Sequence, residues 1–198
     1  MPSVLKFNNN EIIDSSGKIT VAAQPKGAVI EQFCSPCDGS SIEVQSGTYT
    51  VQDVTALQSA TSTWEDLTGS AITYTPPTGT QTVIYDFEFH VCYASSLYIA
   101  SFKLLIGGNE VTKARFNDSI QATTYQEHRV HFRWAFHIGG SADTTSGRQD
   151  FWDTGKEIKL QLYEYNSNHQ AQVHILEHWE SSGTNQLSVP TIGITALA

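Results

Sequence analysis

From Val83 to Tyr93 every odd position is apolar or aromatic: Val83, Tyr85, Phe87, Phe89, Val91 and Tyr93. The even positions are mostly polar. Side chains on an extended chain alternate between two faces, so this run predicts one long strand with a buried and an open face. A helix would scatter the same residues around its circumference. The segment Arg129 to Ile138 repeats the pattern, with Val130, Phe132, Trp134, Phe136 and Ile138 on one face. Arg129, His131, Arg133, Ala135 and His137 take the other. Two such strands commit the chain to sheet structure.

Further strands are predicted over Ala28–Phe33, Ile42–Val51, Ile72–Thr75, Leu97–Ile106, Glu110–Phe116, Ile158–Tyr165, Ala171–Glu180 and Val189–Ala196. Gly107-Gly108-Asn109 between two apolar runs is a hairpin signal, because Gly and Asn tolerate positive φ. Pro76-Pro77-Thr78-Gly79 marks another reversal. The polar stretch Gly139–Asp150 reads as an outward-facing loop, and no amphipathic helix is evident. About ten strands in 198 residues predict an all-β fold, a jelly-roll β-sandwich of two antiparallel sheets. Trp134, Trp152 and Trp179 are expected in or near the core, and Trp64 has no obvious place. Residues 1–25, with Asn8-Asn9-Asn10 and few large apolar side chains, read as an N-terminal arm or docking segment. Residues 26–198 read as the jelly-roll domain.

Charge narrows the partners. Eleven Lys and Arg stand against twenty Asp and Glu, a formal net charge of −9. A phosphate-binding surface needs clustered cations, so nucleic acid is not expected as a partner. No run approaches the roughly 20 apolar residues of a membrane helix, so membrane insertion is not expected either. The N-terminus MPSVLKFNNNEIIDSSGK lacks the apolar core of a signal peptide, which predicts assembly in the cytoplasm of the producing cell. On that ground the acceptor pattern Asn117-Asp118-Ser119 is read as chance.

The chemistry-bearing residues are few. Cys34-Ser35-Pro36-Cys37 spells CxxC, the spacing of a redox disulfide or half a zinc site. Neither the helix start that a redox pair uses nor a second ligand pair is present, so the expectation is a turn with two thiols or an incidental disulfide. Cys92 is the third cysteine. Among the histidines, His174 and His178 in one extended strand would stand about 13 Å apart. His128 and His131 point to opposite faces, and the His-x-His pattern of cupins is absent. His90, His131 and His137 lie on polar strand faces and are the candidates if three copies were to share a metal on a threefold axis; an interface or solvent is the commoner place for such residues, and Glu88, Arg129 and Arg133 on the same faces suit interface ion pairs. No nucleophile elbow or phosphate-cradling loop is found. The sequence assigns no catalytic, cofactor-binding or metal-binding residue, and no enzymatic activity is expected.

One resemblance adds to this reading. Gly27-Ala28-Val29-Ile30, then Thr63-Trp64-Glu65-Asp66-Leu67-Thr68-Gly69 and Ala71-Ile72-Thr73-Tyr74-Thr75-Pro76, lead into the long strand at Val83. Gln186-Leu187-Ser188-Val189-Pro190-Thr191-Ile192 follows a strand bearing Trp179. This layout resembles tumour necrosis factor-like jelly-roll modules of virion surface proteins, found on tail-fibre heads and capsids of aquatic phages and large algal viruses. Glu11 to Thr20 is similar to their short leaders. The resemblance implies a homotrimer in the virion, and it carries over no catalytic residue. No fibre shaft or heptad run precedes the module, which favours a capsid, decoration or vertex role over a fibre head. The arm would then dock on other virion proteins. The alternative is a receptor-recognition module that stacks host surface glycan on exposed Tyr and Trp.

Overall fold

A computed structural model describes residues 4–7, 10–13, 25–93, 97–121, 127–176 and 186–198, with no helix among them. Strands β1 (Leu5–Phe7) and β2 (Asn10–Ile13) form a small antiparallel pair. There follow β3 (Val29–Pro36), β4 (Ser41–Val44), β5 (Gly47–Thr50), β6 (Gln58–Ser59), β7 (Glu65–Asp66) and β8 (Ile72–Tyr74). The long strands are β9 (Thr82–Tyr93), β10 (Leu97–Ile106), β11 (Asn109–Gln121), β12 (Glu127–His137) and β13 (Lys156–Glu164). The chain closes with β14 (Ala171–Val173), β15 (Ile175–Leu176), β16 (Gln186–Leu187) and β17 (Thr191–Leu197).

Eight of these strands build a sandwich. One sheet runs β3-β17-β9-β12, with β14 and β6 continuing beside the far end of β9. The other runs β8-β13-β10-β11, with β7 beside β13. Numbered in chain order, the eight strands give sheet orders 1-8-3-6 and 2-7-4-5, all antiparallel. That is the strand order of a jelly-roll, in which consecutive strands cross between two facing sheets. The all-β sandwich expected from the sequence is therefore the fold.

The predicted alternation places the core. Val83, Tyr85, Phe87, Phe89 and Val91 of β9 are all buried, and Phe132 and Phe136 of β12 join them. Rings then run across the sheet interface: Phe87–Phe89 at 5.4 Å, Phe89–Phe102 at 5.6 Å, Phe102–Phe116 at 4.7 Å and Phe116–Phe132 at 5.5 Å. Each fully buried ring contributes about 1.5–3 kcal/mol by leaving water, with about 0.5–1.5 more per ring pair. At the other end Tyr74 and Trp152 pack edge to face, and the Trp152 Nε1–H donates to the Tyr74 carbonyl at 3.0 Å. Trp152 and the half-buried Trp134 thus lie where the sequence put them. Trp179 falls outside the described residues, as do residues 1–3, 8–9 and 14–24 of the arm.

Two strand expectations and one loop expectation need correction. Ile42–Val51 is not one strand but the β4–β5 hairpin, reversed at Gln45 and Ser46. The cause is Glu31, buried on the inner face of β3. Its carboxylate accepts the Ser46 N–H at 2.8 Å, the Ser46 hydroxyl at 2.6 Å and the Tyr74 hydroxyl at 2.7 Å, and so pulls the turn onto the core. Ala171–Glu180 breaks at His174, which has a φ of 66° and separates β14 from β15. The Gly139–Asp150 loop does not simply face outward. Its Thr145 carbonyl accepts the Lys113 N–H at 2.9 Å, and its Ser146 carbonyl accepts the Trp134 indole N–H at 3.1 Å. Gly147 is buried against Phe136 and Val111. The loop seals the gap between edge strands β11 and β12, which belong to different sheets. The Gly107-Gly108 turn is as predicted, with φ values of 54° and 79° joining β10 to β11.

Candidate binding surfaces

The two outer sheet faces differ in chemistry. On the first sheet, β17 sits between β3 and β9 and presents Thr191, Gly193 and Thr195 outward. Because these are small, the longer side chains beside them rise as walls. The result is a shallow trough of about 280 Å³ lined by Gln32, Cys34, Asp86, Glu88, His131 and Arg133. Its charges are paired within the chain. Glu88 accepts from the Arg129 guanidinium, Asp86 lies 3.1 Å from the His131 Nε2, and the Arg133 Nε lies 3.5 Å from the same carboxylate. Pairs this exposed contribute little stability, at most about 1 kcal/mol each. They do leave the face close to neutral where it would meet another surface.

The second sheet's outer face carries Trp64, which precedes β7 and lies opposite Tyr163 of β13. Trp64 is 41% exposed, its ring centroid is 5.3 Å from that of Tyr163, and the Lys103 ammonium sits 4.3 Å from the indole centroid. The hydrogen-bonding groups of Asp66, Lys159 and Gln161 lie alongside, with Lys159 and Gln161 both donating to the Asp66 carboxylate. Sequence reading could not place Trp64, because β7 is two residues long and pairs with a strand about a hundred positions away.

The histidines scatter. His128 and His131 do point to opposite faces: His131 meets Asp86 outside, while His128 lies 2.9 Å from the Asp118 carboxylate that also accepts the Tyr98 hydroxyl. His137 lies 3.3 Å from the Thr82 hydroxyl. His174 is fully buried, with its Nε2 2.9 Å from the Thr68 carbonyl and its Nδ1 without a partner. Burial pushes its pKa down to about 4. The one-strand geometry assumed for His174 and His178 fails at the His174 bend, and His178 lies outside the described residues. Among the described residues, no three His, Cys, Asp or Glu side chains converge as a metal-ligand set.

One serine–histidine pair was not visible in the sequence, because its members are 98 positions apart. The Ser188 hydroxyl contacts His90 Nδ1, and the Arg129 Nε–H donates to His90 Nε2 at 3.4 Å. An Nε2 that accepts leaves the proton on Nδ1, which then donates to the serine. A serine nucleophile needs the opposite polarity, with the imidazole accepting its proton. The pair therefore positions the Ser188 segment rather than activating it. The CxxC likewise fails as a chelate or redox pair. Cys34 is exposed within β3, whereas Cys37 is buried beyond its end, its thiol directed at the Gly69 carbonyl, and both are free. The segment is the end of a strand, not the turn expected.

No family model and no curated protein sequence matches the chain. Among solved structures, the chain is similar to the CBM36-1 domain of a multidomain xylanase from the hindgut metagenome of Trinervitermes trinervoides. Identity is 10%, the TM-score is 0.30, and 82% of this chain and 95% of that one are covered. It is similar also to a chain of infectious bursal disease virus, Gx strain, at 11% identity and a TM-score of 0.29. That match covers 84% of this chain and 46% of the viral one. The VP2 subviral particle of the same virus matches at 12% identity and a TM-score of 0.23, covering 81% and 47%. Likenesses this distant leave the family of the chain open.

Proposed function

We propose that the chain is a structural jelly-roll of a virus particle, exposed on the particle surface and associated with copies of itself. The strand order 1-8-3-6 facing 2-7-4-5 carries this reading, since double-sheet jelly-rolls are the working architecture of capsid and lectin domains. The first sheet's outer face supports it. This face is four strands wide, small at its centre along β17, and its charges are already paired. Covering such a face strands no lone ion, which is the costly outcome at an interface. A homotrimer and an arm of residues 1–25 that docks on a neighbouring virion protein complete the proposal. Light scattering of the full chain at micromolar concentration is expected to give about three times 21.8 kDa. A mass of one chain across that range refutes self-association.

A second reading has its own observation in the exposed Trp64 beside Tyr163. An aromatic plane bordered by Asp66, Lys159 and Gln161 suits stacking of a sugar ring with hydrogen bonds at its rim. In this reading the module recognises host surface glycan. Glycan-array binding that disappears in Trp64→Ala supports it, and an array without signal removes it.

A further inference from the structure

On the inner side of the strand pair that carries Trp64 lie the carboxylates of Glu65 and Glu164. Glu65 of β7 stands directly opposite Leu162 of β13, so their side chains share a face, and Leu162 is buried. Glu164, two residues further along β13, projects to that same inner face. Glu164 is 4% exposed, and its Oε2 is buried with no hydrogen-bond partner. Among the described residues neither carboxylate has an ion-pair partner. The segment 61–65 closes over them with alternate residues. The Thr61 hydroxyl lies 2.8 Å from Glu65 Oε1, 2.9 Å from the Thr63 hydroxyl and 3.3 Å from the Thr63 carbonyl. The Glu164 N–H donates to the Thr61 carbonyl at 2.9 Å, which fixes this segment over β13.

We propose that Glu65 and Glu164, with the oxygens of Thr61 and Thr63, form a calcium site that ties the 61–65 segment to β13. Two carboxylates plus neutral hydroxyl and carbonyl oxygens are hard donors, with neither sulfur nor imidazole, and calcium takes six to eight such ligands in flexible geometry. Magnesium requires a near-ideal octahedron and gives up its water reluctantly, so a cluster drawn from a loop and a strand favours the larger ion. A bound dication also compensates the buried Glu164 carboxylate, whose Oε2 has no hydrogen-bond partner among the described residues.

The test is calorimetric titration of the full chain with calcium chloride, with thermal unfolding in parallel. One ion per chain is expected, with a rise in thermal midpoint of about 5–10 °C at a hundredfold excess over Kd and a much smaller response to magnesium. Glu164→Gln and, separately, the more peripheral Glu65→Gln should each remove the calcium response, so a folding failure of the first leaves the second to decide. Trp64→Phe on the outer face should keep it. Absence of binding up to about 10 mM calcium, above the range of the weakest calcium modules, overturns the proposal. So does calcium binding that both glutamine variants retain. A Glu164→Gln chain that is more stable than the native one, with no calcium response in either, shows that the carboxyl simply holds a proton.

Discussion

Replacing Gly147 by Ala tests whether the 139–150 loop is part of the core. Gly147 has a φ of 75°, and a Cβ there would lie 2.9 Å from Phe136 Cδ1 and Cε1 and 3.1 Å from Val111 Cγ2. Neither neighbour can yield easily. Both are fully buried, and Phe136 is braced by Trp152 at 5.9 Å. The left-handed backbone costs a non-glycine residue roughly 1–2 kcal/mol, and overpacking adds about 1–3. The total of roughly 2–5 kcal/mol lowers the thermal midpoint by about 4–20 °C in a domain of this size. Gly108→Ala is the control, because its φ is 79° but nothing lies within 4 Å of the added Cβ. It should show the backbone cost alone. Urea unfolding of both variants with an unchanged m-value isolates the packing difference, about 1–3 kcal/mol. Equal losses in the two would refute the claim that the loop is packed into the sandwich.

Three further outcomes are expected. His174 is held neutral by burial with a pKa of about 4, against about 6.5 when unfolded, so its contribution is complete above pH 6.5 and is lost as pH falls toward 4. The loss is on the order of 3 kcal/mol, and urea midpoints in His174→Asn, which tolerates the positive φ, should show a correspondingly flatter slope from pH 6.5 to 4. An unchanged slope would contradict the burial argument. Tyr74→Phe keeps the ring packing but removes one donor from buried Glu31, and should cost about 1.5–3 kcal/mol by chemical denaturation. In native protein at alkaline pH, mass spectrometry after alkylation should find Cys34 modified first, slowed by a thiol pKa raised by burial and by Asp86 and Glu88. Cys37, whose pKa burial pushes up to about 12, and buried Cys92 should react only after unfolding.

What the sequence disclosed follows from range. The alternation in Val83–Tyr93 and in Arg129–Ile138 is local, and each residue's face could be read from its parity. The glycine pair at 107–108 announced its own turn. A two-residue hairpin shifts parity, so Ile42 and Val44 share a face with Tyr49; that shift was the one local sign that Ile42–Val51 is two strands, and the distant Glu31 holds the turn between them. His174 bends the chain with no Gly, Pro or Asn to mark the place, because the bend serves contacts with Thr68 and Phe89. Both surface features arise from pairings that no local pattern encodes. Trp64 meets Tyr163 across about a hundred residues, and the β3–β17–β9 trough joins three segments from the start, end and middle of the chain. The Glu65–Glu164 pair was hidden for the same reason.

The seat of β17 also has a kinetic consequence. Of the described strands it is the last to be synthesised, yet it fills the slot between β3 and β9 and bonds to both. Until residue 197 is available, two sheet edges stand open on a nascent chain whose aromatic faces already exist. At about 5–20 residues per second, roughly 5–20 s separate the completion of β9 from that of β17. During that time an open edge can pair with another chain, and such edges are the usual templates for aggregation. Chains interrupted between β14 and β17 would keep both edges exposed, so chaperones that cover those edges during synthesis are expected to raise the yield of folded protein.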